Sequence, residues 1–158
     1  MPLIRLKFKT HIRSIFHNLL VILTMITDSK SLQGSEYTEQ NRSALATMVS
    51  NLFRHWQLDN TAQLALLGLS ETNRGQIRRY QEGQPFAKSR DLLDRASLLL
   101  SIHKNLRLLY PHNRELAYAW MTKNNRAFEG KTPVELVREH GFLGLHYVRA
   151  YLDRARGI

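Results

Sequence analysis

The chain contains no cysteine, and only four prolines and eight glycines stand among its 158 residues. Without cysteine it has no disulfide framework, no cysteine-based zinc site and no thiol nucleophile, and this composition fits a reducing cytoplasm. The few prolines and glycines lie mostly at segment ends, which is typical of helices joined by short turns. We therefore expect a helical, cytoplasmic protein.

A hydrophobic run long enough to span a membrane is also missing. The nearest candidate, residues 19–26, follows several basic residues but is too short, and no small-x-small cleavage site comes after it. Three interpretations stay open: a basic amphipathic helix that packs on the body or on a second subunit, a signal sequence, or upstream codons before a true start at Met25. Residues 28–36 are polar and aperiodic, so we treat residues 1–36 as a basic, apolar helix with a linker.

Motifs that carry enzyme chemistry are lacking as well. The glycines form no phosphate-binding loop, the seven histidines show no HxxxH or HExxH spacing, and no carboxylate pair stands in an apolar setting. We therefore expect a protein that is not an enzyme and that has no catalytic residues, no cofactor and no metal site.

Positive charge is what the chain has in excess. Lys and Arg number 23 against 13 Asp and Glu, which gives a formal net charge of +10. A polyanionic partner is favoured, because each phosphate neutralised by Lys or Arg releases condensed counterions. Nucleic acid is the first candidate, and a membrane surface or an acidic protein are the alternatives.

Every periodic segment after residue 36 has the helical period and none alternates as a strand, which predicts an all-α fold. A first helix is predicted at residues 38–58 and a second, capped by Asp59 or Asn60, at residues 61–67, where Gly68 ends it. Ser70 is expected to cap a third helix that ends at Gly83. This order of helix, short helix, tight turn and helix is that of a helix-turn-helix.

The third predicted helix suggests contact with DNA. Ile77 and Tyr80 lie on one side, where they dock the helix, and the opposite side is polar and basic. Arg and Gln make paired hydrogen bonds to guanine or adenine edges in the major groove. Glycine inside a helix costs about 1 kcal/mol relative to alanine, which indicates a close approach at Gly75. The predicted DNA-binding residues are Thr72, Arg74, Gly75, Gln76, Arg78 and Arg79.

Four more helices are predicted towards the C-terminus. The first covers residues 89–110 and the second residues 113–121; a polar loop, residues 122–131, comes next. Thr132, Pro133 and Glu135 form a capping-box signal that starts the third, which ends at Gly141, and the last begins near residue 143. We expect a DNA-binding domain at residues 37–105 and a second helical domain at residues 106–158.

Several stretches resemble the Xre/MbcA/ParS antitoxin family. They are LLGLS at residues 66–70, RRYQEG at residues 78–83, Trp120 with the asparagines at 124 and 125, FEGKTPVELV at residues 128–137 and GLHYVRAYLD at residues 144–153. Their order and spacing match the family over about residues 60–158. The resemblance implies an Xre-like helix-turn-helix bundle followed by a small helical toxin-binding domain.

The resemblance also implies a function. Family members are encoded beside a RES-domain toxin that consumes NAD; their C-terminal region covers the toxin's active site, and their helix-turn-helix represses the operon. This chain would then be the antitoxin of a type II toxin–antitoxin system, a homodimer that binds operator double-stranded DNA, forms a higher-order complex with its RES-domain toxin and binds no membrane. The toxin-binding residues carried over are Asn125, Phe128, Gly130, Thr132, Pro133, Arg149, Tyr151, Leu152, Arg154 and Arg156.

Other interpretations remain open from the sequence. Family members often carry tryptophan where this chain has Tyr80, which keeps the anchor but leaves the operator sequence open. The basic helix face is also consistent with arginines that pair with Glu71, Glu82 or Asp91, and the arginines of the last helix with simple solvation. The chain would then be a helix-turn-helix regulator or protein-interaction module without a toxin partner, or a small enzyme with an unfamiliar site.

Overall fold

The computed structural model describes residues 37–157, and within this range the chain forms α-helices, short 3-10 turns and no strand. This confirms the predicted all-α fold. The helices are α1 (Glu39–His55), α2 (Asn60–Leu67), α3 (Arg74–Gln81), α4 (Arg90–Leu109), α5 (Arg114–Ala119) and α6 (Pro133–Ala155). None of these helices is long and apolar enough to cross a membrane. The helix and linker predicted at residues 1–36 lie outside the described residues.

Local side-chain signals set most helix ends. The Asp59 carboxylate accepts a hydrogen bond from the Ala62 N–H at 2.7 Å, and Gly68, with φ 68°, ends α2 in the left-handed conformation. Asn113 caps α5 in the same way. Thr132 and Glu135 form both hydrogen bonds of a capping box at the start of α6. These predicted boundaries are confirmed.

The third predicted helix begins later than the sequence suggested. Glu71–Asn73 form a 3-10 turn, and α3 starts only at Arg74. The Ser70 hydroxyl lies 2.6 Å from the Thr72 hydroxyl and accepts a hydrogen bond from the Asn73 side chain at 3.1 Å. Ser70 occupies the N-cap position of this 3-10 turn, but its side chain makes no capping hydrogen bond, so the predicted side-chain cap is wrong. Its hydroxyl bonds to nearby side chains instead of the free backbone N–H groups.

A single core joins the helix-turn-helix to the C-terminal helices. α6 packs against α4 and α2, and α1 packs against α3 and α4. Residues from both halves are fully buried together: Trp56, Leu66, Leu99, Ile102, Leu106, Met121, Leu145 and Leu152. α4 runs without interruption past residue 105, so the same long helix supports the two regions of the protein.

A sharp corner divides α6 into two halves. Gly141 has φ 59° and ψ −130°, a conformation that favours glycine, and this confirms the predicted helix end. Beyond the corner Gly144 lies against the first half, where a Cβ atom would come 2.7 Å from the Leu136 carbonyl oxygen and 2.8 Å from the Val137 Cα. The two halves therefore meet backbone to backbone.

Gly144→Ala is expected to destabilise the protein by about 1–3 kcal/mol, because backbone atoms cannot move aside for a methyl group as a flexible side chain can. Urea unfolding followed by circular dichroism measures the change. Gly75→Ala is the matched control: a Cβ there meets nothing within 4 Å, so this variant keeps or slightly gains stability. Equal stability of Gly144→Ala and wild type would show that the halves do not pack this closely.

Candidate functional site

The inner side of α3 fastens it to the bundle. Ile77 and Tyr80 are 3% and 5% exposed, as predicted for the docking residues. The Tyr80 ring meets the edge of Phe86, with ring centroids 4.6 Å apart and an interplanar angle of 80°. α3 packs against α1 and α2, so its opposite face points away from the core.

The outer face of α3 carries the predicted DNA-binding residues. Arg74, Gly75, Arg78 and Arg79 are exposed on α3, and Gln76 is half-buried. Thr72 is exposed too, but it belongs to the 3-10 turn before the helix. The structure thus places all the predicted residues along one short, solvent-facing segment.

Two of the arginines pair with acidic neighbours. Arg78 Nε lies 2.9 Å from Glu82, and an Arg74 Nη atom lies 3.6 Å from Glu71. The same pairings are expected of a helix face that is exposed to solvent and binds nothing. Asp91 pairs with Arg95 instead, at 2.8 Å. Exposed ion pairs contribute only about 0–1 kcal/mol. These arginines can therefore exchange a carboxylate for a phosphate or a base edge at little cost.

The loop that follows α3 is tied to α1 by two side chains that the sequence analysis missed. Arg42, 7% exposed, donates from its guanidinium to the Phe86 carbonyl, and the Ser43 hydroxyl donates to the Gly83 carbonyl at 2.5 Å. Arg42 lies three residues before Leu45, on the apolar face of α1. A charged residue on an otherwise apolar helix face is the sequence signal that could have identified it. These bonds fix the C-terminal end of α3.

A second candidate surface is an open groove between the turn Arg126–Phe128 and both halves of α6. Its volume is about 710 Å³. The residues that line it are Ala127, Phe128, Glu129, Lys131, Leu136, His140, Tyr147, Ala150, Tyr151, Arg154 and Ala155. Tyr147 is 51% exposed, and Leu143, one helical turn earlier on α6, is 53% exposed. Large apolar side chains are therefore exposed at the groove and one helical turn away from it.

Aromatic packing builds the floor of the groove. The Tyr151 ring stacks on Trp120 at a centroid distance of 6.1 Å and meets Phe128 at 5.1 Å. Asn125 closes the adjoining loop: its carbonyl accepts from the N–H groups of Phe128 and Gly130, each at 3.0 Å, and its side chain accepts from Ala127 at 2.9 Å. The groove is therefore held by a fixed turn.

The residues carried over from the antitoxin resemblance fall into different places around this groove. Phe128, Tyr151 and Arg154 line it. Asn125 and Gly130 shape the loop, and Thr132 caps α6 beside it. The structure brings this part of the set together.

The rest of that set points elsewhere. Pro133 is buried and Leu152 is 1% exposed, so both side chains face the core rather than the groove. Arg149 pairs with Asp153 at 2.9 Å, and Arg156 donates to the buried Asn105 side chain at 2.6 Å. These arginines tie α6 to α4, because Asn105 also donates to Asp153, at 2.6 Å.

Leu143 and Tyr147 are the surface residues that the sequence analysis did not select. They stand four residues apart on α6, outside the buried stripe of Leu145, Val148 and Leu152. Large apolar side chains at that spacing on the polar side of an amphipathic helix are a signal that the sequence contains.

These two surfaces lie on separate parts of a helix-turn-helix protein, and comparison with known proteins gives the class. Residues 36–101 match the antitoxin Xre-like helix-turn-helix domain, and residues 105–157 match the antitoxin Xre/MbcA/ParS C-terminal toxin-binding domain. The protein is thus an antitoxin with a DNA-binding fold and a toxin-binding domain.

More particularly, the chain belongs to the Xre/MbcA/ParS family of antitoxins, which confirms the resemblance found in the sequence. The chain is also similar to the uncharacterized protein y4oB of Sinorhizobium fredii. The two are 29% identical over 102 residues, which cover 65% of this chain and 76% of that protein.

Proposed function

We propose that this antitoxin neutralises a RES-domain toxin by covering its NAD-consuming active site, and that it represses its own operon through α2 and α3. The observation that carries the proposal is the presence of two separate exposed surfaces on one compact unit: the basic face of α3 and the aromatic groove beside α6. One surface suits the phosphates and base edges of DNA, and the other suits a folded protein.

The DNA-binding part of the proposal rests on α3. Its arginines are exposed and only weakly paired, and Ile77 and Tyr80 hold the helix against the core. Gly75 has no neighbour within 4 Å of a Cβ position, so packing among the described residues does not require glycine there. Close approach of DNA explains it. We infer a homodimer on an inverted repeat, with half-sites about one helical turn apart.

The toxin-binding part of the proposal rests on the groove. Tyr147 and Leu143 offer exposed apolar area, and Tyr151 and Phe128 form a firm base beneath them. Arg154 lines the groove. Its guanidinium can pair with carboxylates of the toxin's cleft when the antitoxin covers it. The complex forms in the cytoplasm and contains more than one copy of each chain.

Co-expression with the RES-domain protein encoded beside this chain tests the proposal, with growth and cellular NAD as readouts. We expect the wild-type chain to restore both. Tyr147→Asp is expected to lose the rescue, because a carboxylate is buried without a partner when the toxin docks. Leu108→Asp is the matched control: Leu108 on α4 is 51% exposed and lies off the groove, so this variant should rescue fully.

The possible results test two points separately: that the toxin docks in the groove, and that the RES-domain toxin is the partner. Full rescue by Tyr147→Asp means that the toxin docks elsewhere than in the groove. Failure of the wild-type chain to rescue means that the chain is a helix-turn-helix regulator or interaction module without this toxin as its partner.

A further inference from the structure

We propose that Tyr80 is a positioning residue for base recognition: its hydroxyl holds the Gln76 side-chain amide so that the amide NH2 alone faces DNA, and Gln76 therefore selects guanine over adenine. The inference rests on the proposed binding of DNA by α3. It assigns a base preference to one position of the operator, which the presence of a helix-turn-helix does not do.

The contact that carries the inference joins two residues one helical turn apart. The Tyr80 hydroxyl donates to Gln76 Oε1 at 2.8 Å. The Tyr80 ring is 5% exposed and is wedged against Phe86, whose backbone is bonded to the Arg42 guanidinium. Its burial and this contact hold the ring in place. Tyr80 is thus a fixed hydrogen-bond donor beneath a half-buried glutamine.

The Tyr80 hydroxyl has a single hydrogen, and in this contact that hydrogen is donated to Gln76 Oε1. In the described part of the chain, Gln76 Nε2 has no hydrogen-bond partner, so the NH2 group is free to donate outward.

This orientation of the amide favours guanine, because adenine and guanine present different hydrogen-bonding groups in the major groove. A glutamine that reads adenine uses both ends of its amide: the oxygen accepts from N6 and the NH2 donates to N7. In this chain Oε1 is turned back towards Tyr80, and only donors remain for the groove. Guanine presents two acceptors, N7 and O6, and no donor on its major-groove edge. The exposed, side-chain-free Gly75 next to Gln76 leaves room for the base edge.

The decisive variant is Tyr80→Phe, which keeps the ring in its packing and removes the hydroxyl. Purified wild-type and variant chains would each select duplexes from a randomised DNA library, and sequencing gives the preference at every position. We expect the wild-type motif to contain a guanine whose enrichment is lost in Gln76→Ala. In Tyr80→Phe the preference for guanine over adenine at that position should fall about fivefold or more, with the other positions unchanged.

A merely structural role for the Tyr80–Gln76 pair would weaken binding equally at all positions and leave the motif intact, and that result overturns the inference. Gln76→Glu supplies a second test that keeps Tyr80. Its carboxylate still accepts from the hydroxyl but presents an acceptor outward, so the preference should move from guanine to cytosine, whose N4 is a donor. A retained guanine in Gln76→Glu also overturns the inference.

The same experiment tests this inference separately from the proposed DNA binding on which it rests. A wild-type chain that enriches no sequence removes the DNA-binding proposal and the inference together. A clear wild-type motif that is the same in Tyr80→Phe leaves DNA binding in place and removes only the role of Tyr80.

Discussion

Arg78→Ala combined with Arg79→Ala is expected to lower the affinity for operator DNA about 100-fold. Both side chains are exposed on the outer face of α3, where each is in a position to contact a phosphate or a base edge. A good base contact contributes about 1–3 kcal/mol, and each lost phosphate contact lowers the salt slope by about one. Fluorescence anisotropy with duplex DNA from upstream of the gene, measured at several salt concentrations, gives both quantities.

A matched double variant separates local contact from total charge. Arg114→Ala with Arg138→Ala removes the same charge from exposed positions on α5 and α6, and we expect nearly wild-type affinity and salt slope. The thermal stability of both double variants should stay close to wild type, since exposed ion pairs contribute little. Unchanged DNA affinity in Arg78→Ala/Arg79→Ala would mean that α3 does not enter the groove.

Much of the fold was predictable because its signals are local. Asp59, Gly68 and Thr132 each act on a helix end within three or four residues, and the structure confirms each of them. Ser70 shows the limit of such signals. Its hydroxyl has side-chain partners and backbone partners within the same few residues, and the two choices differ too little in free energy to be ranked from the sequence.

The two candidate surfaces also differ in how far local sequence signals define them. The outer face of α3 follows from helical periodicity alone, so its residues could be selected without a structure. The groove depends on the corner at Gly141 and on Trp120, Phe128 and Tyr151 meeting across a loop. The bonds that Asn105 makes reach residues 48 and 51 positions away. Periodicity contains no information about such distant partners, and only the family resemblance pointed to this region.

Aromatic packing between α1, α4 and α5 encloses a histidine, His103. His103 lies between Trp56 and Tyr118, at ring centroid distances of 6.4 Å and 5.9 Å, and its Nδ1 is buried without a hydrogen-bond partner in the described part of the chain. Burial lowers the pKa of His103 from 6.5 to about 4, with smaller contributions from the positive charges of Arg107 and His55.

This pKa shift predicts loss of stability in mild acid. In the unfolded chain His103 takes up a proton as the pH falls below 6.5, whereas in the folded protein it stays neutral down to about 4. The unfolded state is therefore favoured increasingly between these values. The free energy of unfolding should be about 2 kcal/mol lower at about pH 5 than at about pH 7.5. Burial also lowers the pKa of His55, which acts in the same direction.

His103→Phe isolates the contribution of this histidine. Phenylalanine keeps the ring contacts with Trp56 and Tyr118 but binds no proton, so the variant should lose much less stability than wild type between about pH 7.5 and about pH 5, where most carboxylates remain ionised. Urea unfolding of both chains at the two pH values measures the difference. If wild type and His103→Phe lose the same stability, other groups cause the acid sensitivity; if the variant resists acid, the buried neutral imidazole causes it.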